Sequence, residues 1–338
     1  MTYDAIMNLI KSKKQNIDTE TLKFFSNYFF VAIKKDIIPI NVTLECLIDN
    51  ALTFASKIEF YGENHRIYRE NGGELKGFRD PESKTIFIRS NLEEPLREIV
   101  VYHELHHATQ TNPENYQVGI NQESNIGRLI MEAQTQYFAE EVYKEIHGVE
   151  FQEREIASEN LRMASGGIVV SKLHNYEMYD NLLTKIGMVL EVPKDYFVSI
   201  NYLYRNNRGL KLLEEKYVIA RNKYQLPYDF HQFLLYYDYA YCVALYAYKD
   251  NPDKQTILNG GVTQKYEIYP NKGLVLSLKD QMNYLAQIDG CCFLKLAENG
   301  GNYKDFSKYI IDNQKRNLAM QYISIFEEQM PTESPKKM

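Results

Sequence analysis

The sequence predicts an α+β protein, predominantly helical, with one small antiparallel sheet, one helix that carries the chemistry and a large helical C-terminal lobe. Three observations predict it. Apolar residues recur at three- and four-residue spacing along most of the chain, the mark of amphipathic helices. That pattern breaks between residues 60 and 91 into short β-prone runs separated by turn formers. Directly after the break, the stretch "LREIVVYHELHHATQ" returns to helical spacing, with histidines continuing an apolar face.

Taken in order, residues 2–35 read as helix through "YDAIMNLI" and "TETLKFFSNYFFVAIKK", and 41–58 ("NVTLECLIDNALTFASKI") as another. In the β-prone section, Asp80-Pro81-Glu82-Ser83 marks a turn between "ELKGF" and "KTIFI", which predicts an antiparallel strand pair. Gly72 and Gly73 mark a loop. Asn91 is placed to cap the next helix, with Glu93 and Glu94 in its first turn and Pro95 at an early helical position. Leu92, Leu96, Ile99, Val100, His103 and His107 then fall on one face. A polar loop at 110–125 leads to a helix over 126–148 that stops at Gly148. Beyond a loop near Gly166-Gly167 the chain reads as mostly helical, with an irregular or β-like section at 255–277. The organisation expected is therefore an N-terminal helical segment (1–57), a core (58–148) and a helical lobe (149–338).

A net charge of −6 and a pI near 5.8 argue against a nucleic-acid binder, which normally shows a basic face. The most apolar window, 233–248, is shorter than the roughly 20 residues a membrane span requires and contains Asp238, so it reads as a buried helix. The N-terminal stretch lacks the basic-then-apolar pattern of a secretory signal. Cys46, Cys242, Cys291 and Cys292 show no CxxC spacing and read as small core residues in a reducing compartment, so a cytoplasmic location is expected. The 28 tyrosines, set against no tryptophan, suit helix faces at the rim of a core.

His103-Glu104-Leu105-His106-His107 contains H-E-x-x-H. Histidines four apart lie one turn above each other, so both imidazoles can reach one ion. Glu104 is about 100° round the helix, where it can take a proton from an activated water without being a ligand. His103 and His106 are also helix neighbours, but only the 103/107 pairing puts the glutamate at the expected step. A catalytic zinc site takes three protein ligands and keeps one position for water. On the following helix Glu132, Glu140, Glu141, Glu145 and His147 are available. Glu132 is favoured because it stands beside the apolar row Leu129, Ala133 and Phe138, where an unpaired carboxylate would be costly.

"HELHH" followed by "EAQTQYFAE" resembles the gluzincin metallopeptidases, in which H-E-x-x-H gives two ligands and a downstream helix gives a glutamate. The pattern Glu132 to Ala139 and the strand pair "GFRDPESKTIFI" are similar to the compact ImmA/IrrE-type peptidases over roughly residues 74–145. The resemblance implies a zincin-like core, one zinc ion held by His103, His107 and Glu132, Glu104 as general base, and a peptide or protein substrate. One departure stands out: those peptidases often carry glycine where this chain has His106, which either crowds the site or hydrogen-bonds beside it. The helical DNA-binding module often linked to that type is not seen here.

Three further parts are expected. An electrophile for the oxyanion is sought among His174, His231, Tyr176 and Tyr179, with His174 chosen. "KTIFI" is read as an edge strand able to pair with an extended peptide. Thr135 or Gln136, one turn beyond Glu132, is placed to orient a ligand. The cleft is expected between the core and the C-terminal lobe. Two other readings remain open: a zinc hydrolase of a non-peptide substrate with a closed pocket, and a non-enzymatic interaction protein with a structural or vestigial metal site.

Overall fold

A computed structural model describes residues 1–70, 76–120, 127–149, 189–226 and a few isolated positions between 183 and 234. It is a mixed α+β protein, with helices and one small three-stranded sheet. The Gly72-Gly73 loop, most of the expected lobe from 149 onward and the cleft expected beside it lie outside these residues.

The segment 2–35 forms two helices, α1 (Tyr3–Lys13) and α2 (Thr19–Lys34). Each starts at a side-chain cap: Thr2 accepts from the Ala5 N–H, and Asp18 from the Thr21 N–H at 2.8 Å. Helix α3 (Leu44–Phe54) is capped by Thr43 in the same way and ends four residues before the expected boundary. "KIEFY", which sequence spacing alone assigns in part to that helix, is instead the strand β1 (Lys57–Tyr61). A short apolar run satisfies helical and strand periodicity equally, and here pairing with the sheet decides.

After the short helix α4 (Arg66–Glu70) come β2 (Gly77–Asp80) and β3 (Thr85–Arg89). Asp80 opens the turn between them, its carboxylate accepting from the N–H groups of Glu82 and Ser83. The strand order is β1-β3-β2, with β2 antiparallel and β1 parallel to β3. Two expectations are corrected by this. The sheet is mixed rather than antiparallel, because β3 enters between β2 and β1, antiparallel to the first and parallel to the second. "KTIFI" is then the central strand, and the edge lying next to the site helix belongs to β2.

Helix α5 (Leu96–Gln110) carries the H-E-x-x-H residues. It begins just after Pro95 with no side-chain cap, so Asn91 does not cap it; the Leu92 N–H instead turns back to the Arg89 carbonyl. The helix is buried on nearly every side: Ile99, Val101, Tyr102, Leu105, His106 and Ala108 are all fully covered. At its C-terminal end the Asn50 amide of α3 donates to the carbonyls of Thr109 and Thr111 at 2.8 and 2.7 Å, which satisfies groups the helix itself cannot. Helix α6 (Arg128–His147) follows and ends at Gly148, whose φ of +69° suits a residue without Cβ. Then come α7 (Lys194–Asn201), a single 3-10 turn (Arg205–Asn207) and α8 (Arg208–Tyr224).

One apolar core includes Ile6 of α1, Phe25 of α2, Ile48 of α3, Ile88 of β3, Leu105 of α5 and Phe138 of α6, joined by Val198 and Tyr202. The N-terminal helices thus bury their faces in the same core as the helices that bear the site. Chain contacts divide the protein into two units. The first, residues 1–123, 130–152 and 192–217, contains the whole of the site described below; the second comprises 124–129, 153–191 and 218–338. Among the described residues no helix is long and apolar enough to cross a membrane.

Candidate metal centre

One turn of α5 stacks His103 and His107 with ring centroids 4.6 Å apart and their Nε2 atoms at 3.0 Å. From α6, Glu132 brings one carboxylate oxygen to 3.4 Å from His103 Nε2 and 3.3 Å from His107 Nε2. Side-chain exposure is only 7% for His103, 13% for His107 and 18% for Glu132, so the group is largely withdrawn from water. Ligands about 2.0–2.1 Å from a tetrahedral ion stand roughly 3.3–3.4 Å from one another, which is close to these separations. Two neutral imidazole nitrogens and one carboxylate oxygen are also the donor types zinc takes. The residues present therefore fit such an ion.

The electrostatics run the same way. Burial opposes ionisation of Glu132, yet the charge of His107 and the hydrogen bonds from both imidazoles outweigh it and hold the carboxyl well below its ordinary range. For His103 burial pulls the pKa down, but Glu132 and Glu104 more than offset it, and the net shift is upward.

Gln136 settles how the His103 ring is turned. Its Nε2 donates to Glu140 at 2.7 Å, which turns its Oε1 to His103 Nδ1 at 3.0 Å. An amide oxygen only accepts, so Nδ1 carries a proton and Nε2 is the nitrogen turned toward Glu132. Thr135, the other residue expected in this role, donates to the Met131 carbonyl instead. His107 differs: its Nδ1 is buried with no hydrogen-bond partner.

The alternative third ligands are otherwise engaged. Glu140 holds Gln136, Glu141 pairs with Lys35, Glu145 with Lys34, and His147 with Glu98 at 3.0 Å. Among the described residues His103, His107 and Glu132 are the cluster suited to a metal.

Glu104 stands half-buried beside the first residue of β2. A Cβ at Gly77 would lie 2.6 Å from Val100 Cγ1 and 3.3 Å from Glu104 Cγ, so only glycine lets the strand run this close to α5. No hydrogen bond engages the Glu104 carboxylate among the described residues.

His106 belongs to a separate network. Its Nδ1 is 2.5 Å from the Tyr28 hydroxyl and its Nε2 is 2.8 Å from Gln134 Oε1. Tyr28 also meets the Tyr202 hydroxyl at 2.8 Å, and the amides of Gln110 and Gln134 bond to each other. Burial drives the His106 pKa well below its usual value, so the ring is neutral. The same Nε2 lies 2.6 Å from the Gln110 side-chain nitrogen. His106 therefore ties α5 to α2 and α6 rather than crowding the pair beside it. Sequence spacing missed Tyr28, Gln110, Gln134 and Tyr202, because a hydrogen-bond network across distant segments leaves no local pattern.

Of the residues considered for the oxyanion, His174, Tyr176 and Tyr179 lie outside the described residues. His231 is half-buried in the second unit. Arg79 was not considered, though the two-residue alternation of β2 puts it on the same side as Gly77, facing α5. Its Nη1 donates to Thr111 Oγ1 at 2.7 Å, and its guanidinium lies over the Phe54 ring at 5.1 Å.

Set against protein-family models, curated proteins and solved structures, the chain gives no match.

Proposed function

We propose that this chain is a gluzincin-type metallopeptidase of the compact zincin kind, in which His103, His107 and Glu132 hold one zinc ion and Glu104 is the general base. The observation that carries the reading is the convergence of the two α5 imidazoles with the single α6 carboxylate, with Glu104, which no described residue hydrogen-bonds, one residue from the first ligand. Bound zinc supplies Lewis-acid activation of a water near neutral pH.

The chain's own residues do the rest. Glu104 accepts the proton of the attacking water and hands it to the departing amine. Gln136 keeps His103 in the tautomer whose Nε2 faces inward. The outer edge of β2 offers backbone groups to an extended peptide, the role first expected of "KTIFI". A structural zinc site would close with a fourth protein ligand, and no fourth histidine, cysteine or carboxylate joins the cluster among the described residues. A cytoplasmic location belongs to the same reading, and the free thiol of Cys46 is in keeping with it.

The test compares wild type with Glu104→Gln for metal content and for cleavage of a peptide library. About one zinc per chain in both proteins is expected, with cleavage lowered ~10²- to 10⁴-fold in the variant. Metal-free wild type after zinc loading would remove the site, and undiminished cleavage by the variant would remove Glu104 from its role.

A further inference from the structure

Arg79 is a half-buried cation beside the site, with one side-chain hydrogen bond among the described residues. Strand β2 lies along α5, with Gly77 against Val100 and Glu104 and Arg79 one pleat further on, bonded to Thr111. Thr111 stands one turn beyond His107 and donates its own hydroxyl to the His107 carbonyl at 2.6 Å. The guanidinium therefore sits on the flank of α5 that bears Glu104 and His107.

Two contacts fix its plane: the Phe54 ring lies against it, and one nitrogen is bonded to Thr111. Burial pulls the Arg79 pKa down, and Glu104 partly restores it, so the two groups sense each other. No carboxylate lies within ion-pair distance of Arg79 among the described residues. A guanidinium has five N–H donors in a rigid fork that matches a carboxylate edge to edge. Here one donor is taken by a neutral hydroxyl, and the fork is already oriented, which lowers the ordering cost of receiving an anion.

We propose that Arg79 is a specificity-determining residue of this site, receiving a carboxylate of the substrate: either the C-terminal carboxylate of a peptide or an acidic side chain near the cleaved bond. The proposal rests on the peptidase reading for the identity of the substrate, but not for the binding of the anion.

The test uses zinc-loaded Glu104→Gln protein, which holds peptides without cutting them. It is titrated with a labelled neutral peptide ending in an amide, the same peptide with a free C-terminal carboxylate, and the amide-ended peptide with one internal glutamate. One of the two acids should bind about 10- to 100-fold more tightly than the neutral peptide, as charge-assisted hydrogen bonds warrant, and the one that gains identifies the source of the carboxylate. Adding Arg79→Gln should erase that gain and leave neutral-peptide binding unchanged. Arg79→Lys, which keeps the charge but loses the fork, should lose most of the gain while melting close to the parent, so a folding defect in Arg79→Gln would not obscure the outcome. An equal loss for all peptides, or a gain that survives both variants, overturns the proposal in favour of a clamp between β2 and α5. Cleavage of the same peptides by wild type is scored apart. Carboxylate preference without cleavage keeps Arg79 and removes the peptidase reading, cleavage without preference does the reverse, and the absence of both removes both.

Discussion

Three histidines stand within five positions of α5, and the two sides of the helix treat them in opposite ways. On one side the Nε2 atoms of His103 and His107 face each other and a carboxylate. On the other, His106 has both ring nitrogens matched by neutral partners, a tyrosine hydroxyl and a glutamine amide. All three rings are withdrawn from water, so burial does not separate a ligand from a structural histidine. The facing groups do. A carboxylate draws a cation or a proton into the site, whereas neutral partners on both nitrogens hold the ring uncharged and leave it nothing to bind.

The contrast can be broken in several ways. Removing the carboxylate should act most strongly: Glu132→Ala is expected to weaken zinc affinity by a hundredfold or more, about 3 kcal/mol for one ligand of a tightly held ion. Competition with a chromophoric chelator reads this, and unchanged affinity would send the third ligand elsewhere. His106→Ala should do the opposite, costing about 2–3 kcal/mol of unfolding free energy in urea by removing a buried ring and one partner each of Tyr28 and Gln134, while zinc affinity stays put. Should zinc binding fall instead, the division between the two sides is wrong.

Gln136→Ala sharpens the picture on the metal side. It releases the His103 tautomer, and roughly a tenfold to hundredfold loss of zinc affinity is expected with little change in melting. Far from both sides, Asp18→Ala removes the cap of α2 and should cost about 1 kcal/mol. Burial opposes ionisation of Asp18, but the Thr21 N–H and neighbouring backbone donors prevail and its carboxyl is held below the ordinary value. Its contribution is therefore fully present above the usual carboxylate pKa and disappears as pH falls through the lowered one. The penalty of the variant, read from paired urea titrations, should accordingly shrink in acid.

What could be read from sequence was what repeats locally. The spacing of His103 and His107 places them on one helix face whatever surrounds them, and Glu132 stood out as a carboxylate in an apolar row. The helices α2 and α3 were legible from periodicity, and α6 from its stop at Gly148. Helix α5 began later than expected: the Leu92 N–H turns back to the Arg89 carbonyl at the end of β3. Strand β1 was hidden in an apolar run continuous with α3, and that one omission made β3 look like an edge. The roles of His106, Asn50 and Arg79 depend on partners dozens of residues away, or on which side of a sheet meets a helix, and no spacing rule encodes either.

The bond from Asn50 to the end of α5 reaches further than helix capping. Together with Tyr28, it makes the helices before residue 58 suppliers of polar partners to the very helix that holds His103 and His107. An excised fragment of residues 58–148 would keep every proposed ligand and still lose autonomy. It would have frayed C-terminal carbonyls on its central helix and a His106 Nδ1 without its tyrosine partner. Any minimal version of this protein must therefore carry α2 and α3 along.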